Sequence, residues 1–380
     1  MDYFKKSLEK HKEKKGKIEI KSKFPLNNKD DLSIAYTPGV AEPCRKIFKN
    51  PADAYKYTIK GNSVAVITNG SAVLGLGNIG AKASLPVMEG KCLLFKELAN
   101  IDAYPICLDT QDVEEIIRTI KIISPGFAGI NLEDIKAPEC FEIEKRLKKE
   151  LDIPVFHDDQ HATAIVVLAA LINSLKIVDK KIDKIKIVFN GAGAAGIAIA
   201  KLLLSYGAKN IILIDTQGAI YKGRKGLNAP KKEIAEITNL EKTKGQLKDV
   251  IKQRDVFIGN SVANVFKKQW AATMAPKSII FALANPVPEI MPDQAKQAGA
   301  YIVATGRSDF NNQINNVLAF PGIFRGLLDC RAKQATEKMK LSVAQALADL
   351  VKNPNPDKII PNVFEKNIVK TVAESIKRAM

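Results

Sequence analysis

Two short acidic knots are the residues in this chain best placed to do chemistry. One is Asn131-Leu132-Glu133-Asp134 and the other His157-Asp158-Asp159-Gln160-His161. Each follows a short apolar run, Gly129-Ile130 and Ile153-Pro154-Val155-Phe156, so both read as carboxylates presented at strand ends. Four carboxylates on neighbouring strand tips repel one another. A hard divalent cation, Mg²⁺ or Mn²⁺, bound between them relieves that repulsion. For either pair alone the alternative is a helix N-cap, a position that Asp and Asn favour. Two such pairs just upstream of a nucleotide-binding signature weigh towards the metal.

That signature is Ile185–Asn190, a strand, running straight into Gly191-Ala192-Gly193-Ala194-Ala195-Gly196. A helix from Ile197 to Tyr206 follows, then a second strand, Ile211–Asp215, with an acid at its tip. Gly196 and Asp215 are separated by the roughly 20 residues expected between a dinucleotide fingerprint and its ribose acid. Gly191, Gly193 and Gly196 permit the tight turn. With Ala194 and Ala195 they bring backbone N–H groups to a pyrophosphate at the helix N-terminus. Asp215 would accept from the ribose 2′-hydroxyl and repel a 2′-phosphate, which favours NAD. Lys222, Arg224 and Lys225 lie close behind and could instead accommodate that phosphate, so NAD and NADP both stay open. A second match, Gly75-Leu76-Gly77-Asn78-Ile79-Gly80, has no strand-ending acid at the right distance and reads as a close-packed turn.

The elements that must hold these residues form two α/β units. In the first, Val64–Thr68, Cys92–Phe95 and Ala103–Leu108 read as strands, with helices over 80–88, 113–123 and 140–150. Asp30 to Val40 reads as a loop entering a helix at Ala41. The second unit opens with an apolar helix from Ala162 to Leu175 and carries the fingerprint. Further parallel-type strands cover 255–259, 278–284 and 301–306, and closing helices 326–350 and 364–379. The predicted fold class is α/β: a catalytic domain over 1–158, then a Rossmann-like, doubly wound parallel-sheet domain over 159–380. Asn285, ending a strand before Pro286, is placed to touch a ligand, or simply opens a turn.

Composition narrows the classes. The 46% hydrophobic content supports a core, and no uninterrupted apolar run reaches the ~18 residues of a membrane span. Five scattered cysteines without CxxC spacing read as reduced thiols. The expectation is a cytoplasmic protein with no membrane partner. The net charge of +17 comes from 49 lysines against only 9 arginines. No recognition motif accompanies it, which argues against nucleic acid; a diffuse positive field attracts anionic substrates.

The chain resembles the malic enzymes, specifically the small bacterial type, over nearly its whole length. The resemblance rests on Ala35-Tyr36-Thr37-Pro38-Gly39-Val40-Ala41, Pro86-Val87-Met88-Glu89-Gly90-Lys91, both acidic knots, the GAGAAG turn and Phe281–Pro286. It implies oxidative decarboxylation of malate to pyruvate and CO₂ with NAD(P), by a homodimer. By resemblance, Glu133, Asp134 and Asp159 are the metal ligands and Asp158 is a partner for Lys91. Lys91 is the general base, which requires a lowered pKa at a partly buried tip. Tyr36 is the acid that protonates C3 of enolpyruvate; a phenol titrates near ~10 and so carries its proton at neutral pH. Asn285 and Asn316, with Asn315 beside them, are implied malate contacts. Three positions depart from the family pattern: Ala72 where larger members carry a malate-gripping arginine, Ala162 in place of glycine, and Gly259-Asn260-Ser261 near the cofactor. A metal-free amino-acid dehydrogenase is the alternative enzyme reading, and a basic binding module the non-catalytic one.

Overall fold

The computed structural model describes residues 2–73 and 75–380. Its first sheet has four parallel strands in the order β2-β1-β3-β4: β1 Ser63–Thr68, β2 Asp102–Cys107, β3 Gly129–Leu132 and β4 Val155–His157. The second follows the order β10-β9-β8-β5-β6-β7. These are β5 Lys186–Asn190, β6 Asn210–Asp215, β7 Gly218–Ala219, β8 Val256–Gly259, β9 Ile279–Ala282 and β10 Ile302–Thr305, all parallel but for the short β7. Helices connect the parallel strands, as crossover geometry requires.

One helix joins the two halves. Asp158–Val178 begins where β4 ends and runs through the largest core cluster, against the helices Ala194–Ser205 and Glu337–Leu350. It is long and apolar enough to cross a membrane, yet most of it is buried inside the molecule. An all-round apolar helix is what a core position demands. The boundary expected between 158 and 159 falls within its first turn.

Three expectations are corrected. Cys92–Phe95 is not a strand but part of the helix Gly80–Ala99, which continues well past Met88. Met88, Cys92, Phe95 and Ala99 are buried one above another on a single face, at the i, i+4, i+7, i+11 spacing of a helix. Phe95 meets Phe320 and Phe324 edge-on, with ring centroids 4.8 and 5.2 Å away; burying such a side chain stabilises by roughly 2–3 kcal/mol. Second, Lys29–Ala35 is a helix, capped by Asn28, within the expected loop. Third, the closing segment after 326 is two helices, Phe320–Cys330 and Glu337–Leu350, separated where Arg331 turns left-handed and Thr336 caps anew.

Candidate active site

The register of the first sheet decides where the acidic knots meet. Leu132 lies opposite His157 on adjacent strands, so Glu133-Asp134 and Asp158-Asp159 leave the sheet side by side. One oxygen from each of Glu133, Asp134 and Asp159 lies within 4.8 Å of the others. Asp134 adopts φ +52°, and its N–H donates to Asp159 Oδ2 at 2.9 Å. The capping reading fails for the second knot: His157, at the N-cap, makes no side-chain cap bond, and Asp159 bonds across to Asp134. The donors are all oxygens, a hard set suited to Mg²⁺ or Mn²⁺.

Lys91 reaches this cluster from the middle of its helix and almost fully buried, where a partly buried tip was expected. Its Nζ lies 2.8 Å from Asp158 Oδ2 and 2.9 Å from Glu133 Oε1, and 4.1 Å above the Phe320 ring. Burial would lower its pKa, but Asp158, Glu133 and Asp159 outweigh burial and hold the amine above lysine's ordinary value. The expected lowering is therefore not a property of these protein groups alone. Burial also raises Glu133 well above the carboxylate range; Lys91 opposes this, and the neighbouring acids add to it. Four clustered carboxylates face one lysine in this pocket. The negative charge left over is the observation that the cluster fits a divalent cation.

Asp158 is fully buried. Its Oδ2 accepts from both Lys91 and Asn316, while its Oδ1 has no hydrogen-bond partner. Asn316 thus belongs to the cluster, whereas Asn315 spends its side chain capping the following turn by accepting from Val317 N–H at 3.0 Å. Asn285 ends the β9 segment, packed closely enough that a Cβ on Gly75 would meet its carbonyl at 2.4 Å and one on Gly306 its amide at 2.7 Å. Within the GLG turn only Gly75 packs this closely; a Cβ on Gly77 or Gly80 would meet nothing within 4 Å, and residues 75–78 are exposed. Ala72 N–H donates to Asp134 O, tying that turn to the first knot. Tyr36 stands apart: its side chain is 67% exposed, at the end of Lys29–Ala35.

No sequence signal pointed to Glu144 and Lys340, which brace the knots. Glu144 accepts from His157 N–H at 3.0 Å and His161 Nε2 at 2.8 Å, and pairs with Lys148 at 2.7 Å. Lys340 Nζ sits 2.9 Å from His161 Nδ1. Burial outweighs Glu144 and pushes His161 down to about 4, so the neutral ring donates to Glu144 and accepts from Lys340.

In the second sheet the fingerprint sits on the β5 tip. Gly193 has open space where a Cβ would point, whereas a Cβ on Gly196 would meet Gly191 O at 2.2 Å. These are the glycine functions a pyrophosphate cradle needs: close packing below, open approach above. With its oxygen accepting from Gly196 N–H at 2.8 Å, the Asn260 amide also donates to Gly191 O and Asn190 O. The departure at 259–261 therefore pins the glycine turn. Glu289, another unforeseen residue, accepts from Ser261 and Ala284 N–H and binds the β8 and β9 tips together. Asp215 stands at the β6 tip, but its carboxylate is already taken by Arg224, Lys231 and the Gln217 N–H.

Comparisons with known proteins agree with this division. A family model described as malic enzyme, N-terminal domain, matches residues 15–148, and one described as malic enzyme, NAD binding domain, matches 161–380. The bifunctional malic/malolactic enzyme of Bacillus subtilis is 56% identical, with 98% of this chain and 92% of that protein aligned. The NAD-dependent malic enzyme of Geobacillus stearothermophilus is also 56% identical, over 96% of this chain and 76% of that one. The crystal structure of the NAD-dependent malic enzyme of Thermotoga maritima superposes with a TM-score of 0.95, at 49% identity and 98% coverage of both chains.

Proposed function

The chain belongs to the malic enzyme family, and on that premise we propose that it oxidises and decarboxylates (S)-malate to pyruvate and CO₂ at the Lys91–carboxylate cluster, reducing NAD(P). One observation carries the assignment of residues: Glu133, Asp134 and Asp159 converge within 4.8 Å, beside a buried lysine 2.9 Å from Glu133. Glu133, Asp134 and Asp159 would hold the metal, and a Mg²⁺ or Mn²⁺ bound there would supply polarisation of the malate C2 oxygen and offset the carboxylate charge that keeps Lys91 protonated. The Gly191–Gly196 turn would seat the pyrophosphate of NAD(P), whose nicotinamide would supply the acceptor for the C2 hydride.

The chain's own groups do the rest. Lys91 Nζ takes the C2 hydroxyl proton; burial pulls it towards the neutral amine this needs, a pull that Asp158, Glu133 and Asp159 outweigh until their charge is offset. Asp158, 2.8 Å from Nζ, orients the amine and can take its surplus proton. Asn316, fixed on Asp158, and Asn285, at the β9 tip, present amides to the substrate's carboxylates. Tyr36 delivers the proton to C3.

We further infer that the working unit is a pair of chains. None of residues 2–62 is buried, and Ile20 and Phe48 are 92% and 91% exposed, an apolar surface that a second copy would cover. Tyr36 lies on this segment.

The test is direct. Malate, Mn²⁺ and either NAD or NADP should give a rising nicotinamide absorbance with the purified protein; no rise with either cofactor rejects the reading. Tyr36→Phe should keep reduction of oxaloacetate while losing pyruvate formation; equal loss of both removes the acid role. Sedimentation should return a dimer mass, and a monomer at working concentration would refute the pairing. The metal-free amino-acid dehydrogenase is not favoured, because the relatives are malic enzymes and a metal-free enzyme has no use for the carboxylate cluster.

A further inference from the structure

Asp215 was expected to choose the cofactor by accepting from a ribose hydroxyl and repelling phosphate. Its surroundings reverse that logic. Arg224 Nη1 donates to Oδ1 at 2.8 Å and Nη2 to Oδ2 at 2.5 Å. Lys231 Nζ donates to Oδ2 at 2.7 Å and Gln217 N–H to Oδ1 at 3.0 Å. A carboxylate has about four lone-pair sites, and four donors occupy them. These contacts hold the Asp215 carboxyl down at about 2 despite its partial burial. The group therefore has no acceptor left for a hydroxyl, and its charge is overbalanced by two cations.

The cations keep donors in reserve. Lys231 uses one of three N–H groups on Asp215. The Arg224 side chain is only 9% exposed, fixed further by Gly218 O and Ala219 O, and its Nε is buried with no partner. An unsatisfied buried donor on a cation costs roughly 1–3 kcal/mol. Arg224 also lines a cleft of about 630 Å³ with Lys225, Lys244 and Tyr221, whose one acid is Asp249. Lys222, by contrast, is engaged by Glu236 at 2.6 Å.

We propose that Arg224 and Lys231, neutralising Asp215 at the β6 tip, form a binding site for the 2′-phosphate of NADP, so that this enzyme takes NADP at least as well as NAD. The inference rests on the dinucleotide site assigned above. A guanidinium and an ammonium are a usual means of recognising a phosphate dianion, and both meet here at Asp215 Oδ2. Lys231 is the addition that sequence spacing did not find, since it lies 16 residues beyond Asp215 on the helix Ala229–Ile237.

The probe is adenosine 2′,5′-bisphosphate against AMP, titrated calorimetrically into the full-length protein without malate. The bisphosphate should bind at least tenfold more tightly, and Lys231→Met should shrink that gap at least fivefold, with Lys231→Arg restoring most of it. A smaller gap in the wild type, or one unmoved by Lys231→Met, overturns the proposal. Steady-state selectivity, kcat/KM for NADP over NAD, should be one or more and should drop about tenfold in Lys231→Met; a wild-type ratio below one also overturns it. A bisphosphate preference with no malate oxidation would sink the proposed reaction and leave this site standing. Malate oxidation without the preference does the opposite.

Discussion

The two poles of the molecule both sit at the carboxyl ends of parallel strands, yet they handle charge in opposite ways. At the first-sheet pole, four carboxylates crowd around one lysine, and burial, with the neighbouring acids adding to it, drives Glu133 well above its ordinary range. At the second-sheet pole, the single acid Asp215 is met by two cations and a backbone donor. The first has surplus negative charge and suits a cation; the second has surplus positive charge and suits an anion. Their construction differs too. The first is assembled from side chains far apart in sequence, Lys91, Glu133, Asp159 and Asn316. The second is a contiguous backbone turn in which Gly191 and Gly196 are dictated by contacts of 2.2 to 2.9 Å, while Gly193 faces open space. Side-chain clusters should thus fail by loss of charge partners, and the glycine cradle by loss of space.

That contrast can be broken in several ways. The largest effect should come from Lys91→Ala, which removes the cation paired with Glu133 and Asp158 and the proposed base; kcat for malate should fall about 10³-fold, measured at saturating Mn²⁺. A loss under tenfold would make the lysine a mere counter-ion. Next, Asp159→Ala should weaken Mn²⁺ binding by about 10²-fold or more, read by electron paramagnetic resonance of free Mn²⁺, since a hard cation depends on its anionic ligands. Glu144→Gln, one shell away, should cost a milder 10- to 100-fold. Equal affinity in Asp159→Ala and wild type would dissolve the metal assignment.

Acid should find the first pole before the second. His161 is neutral in the fold, pushed down to about 4 from an ordinary 6.5. The unfolded chain therefore binds the proton first. Stability is complete above about pH 6.5 and declines as pH falls towards 4, by on the order of 2–3 kcal/mol. His161→Gln cannot charge, so its Tm should be flatter across that window; parallel curves for variant and wild type would reject the coupling. The smallest effect sharpens the comparison from the other side. Gly193→Ala meets nothing within 4 Å and should leave Tm nearly unchanged, while weakening NADH about tenfold, roughly 1.4 kcal/mol. Gly196→Ala, with Gly191 O in its way, should lower Tm instead, by overpacking that costs roughly 1–3 kcal/mol.

What the sequence by itself determined is local and backbone-borne. The strand–GAGAAG–helix–strand order survives intact from Lys186 to Asp215, because turn glycines and apolar runs of strand length are read within a few residues. The acidic knots were legible for the same reason: each is a strand end followed at once by its acids. What only the tertiary structure decided involves partners distant in the chain. Cys92–Phe95 is helix because its neighbours on a shared buried face, such as Phe320 and Phe324, come from the far end of the chain; a short apolar run fits strand and helix equally well. Lys91 is held protonated because Glu133 and Asp158 arrive from other strands. Asp215 loses its freedom to a lysine on a separate helix. Charge acts through space, so its balance at either pole is settled only when the fold brings those side chains together.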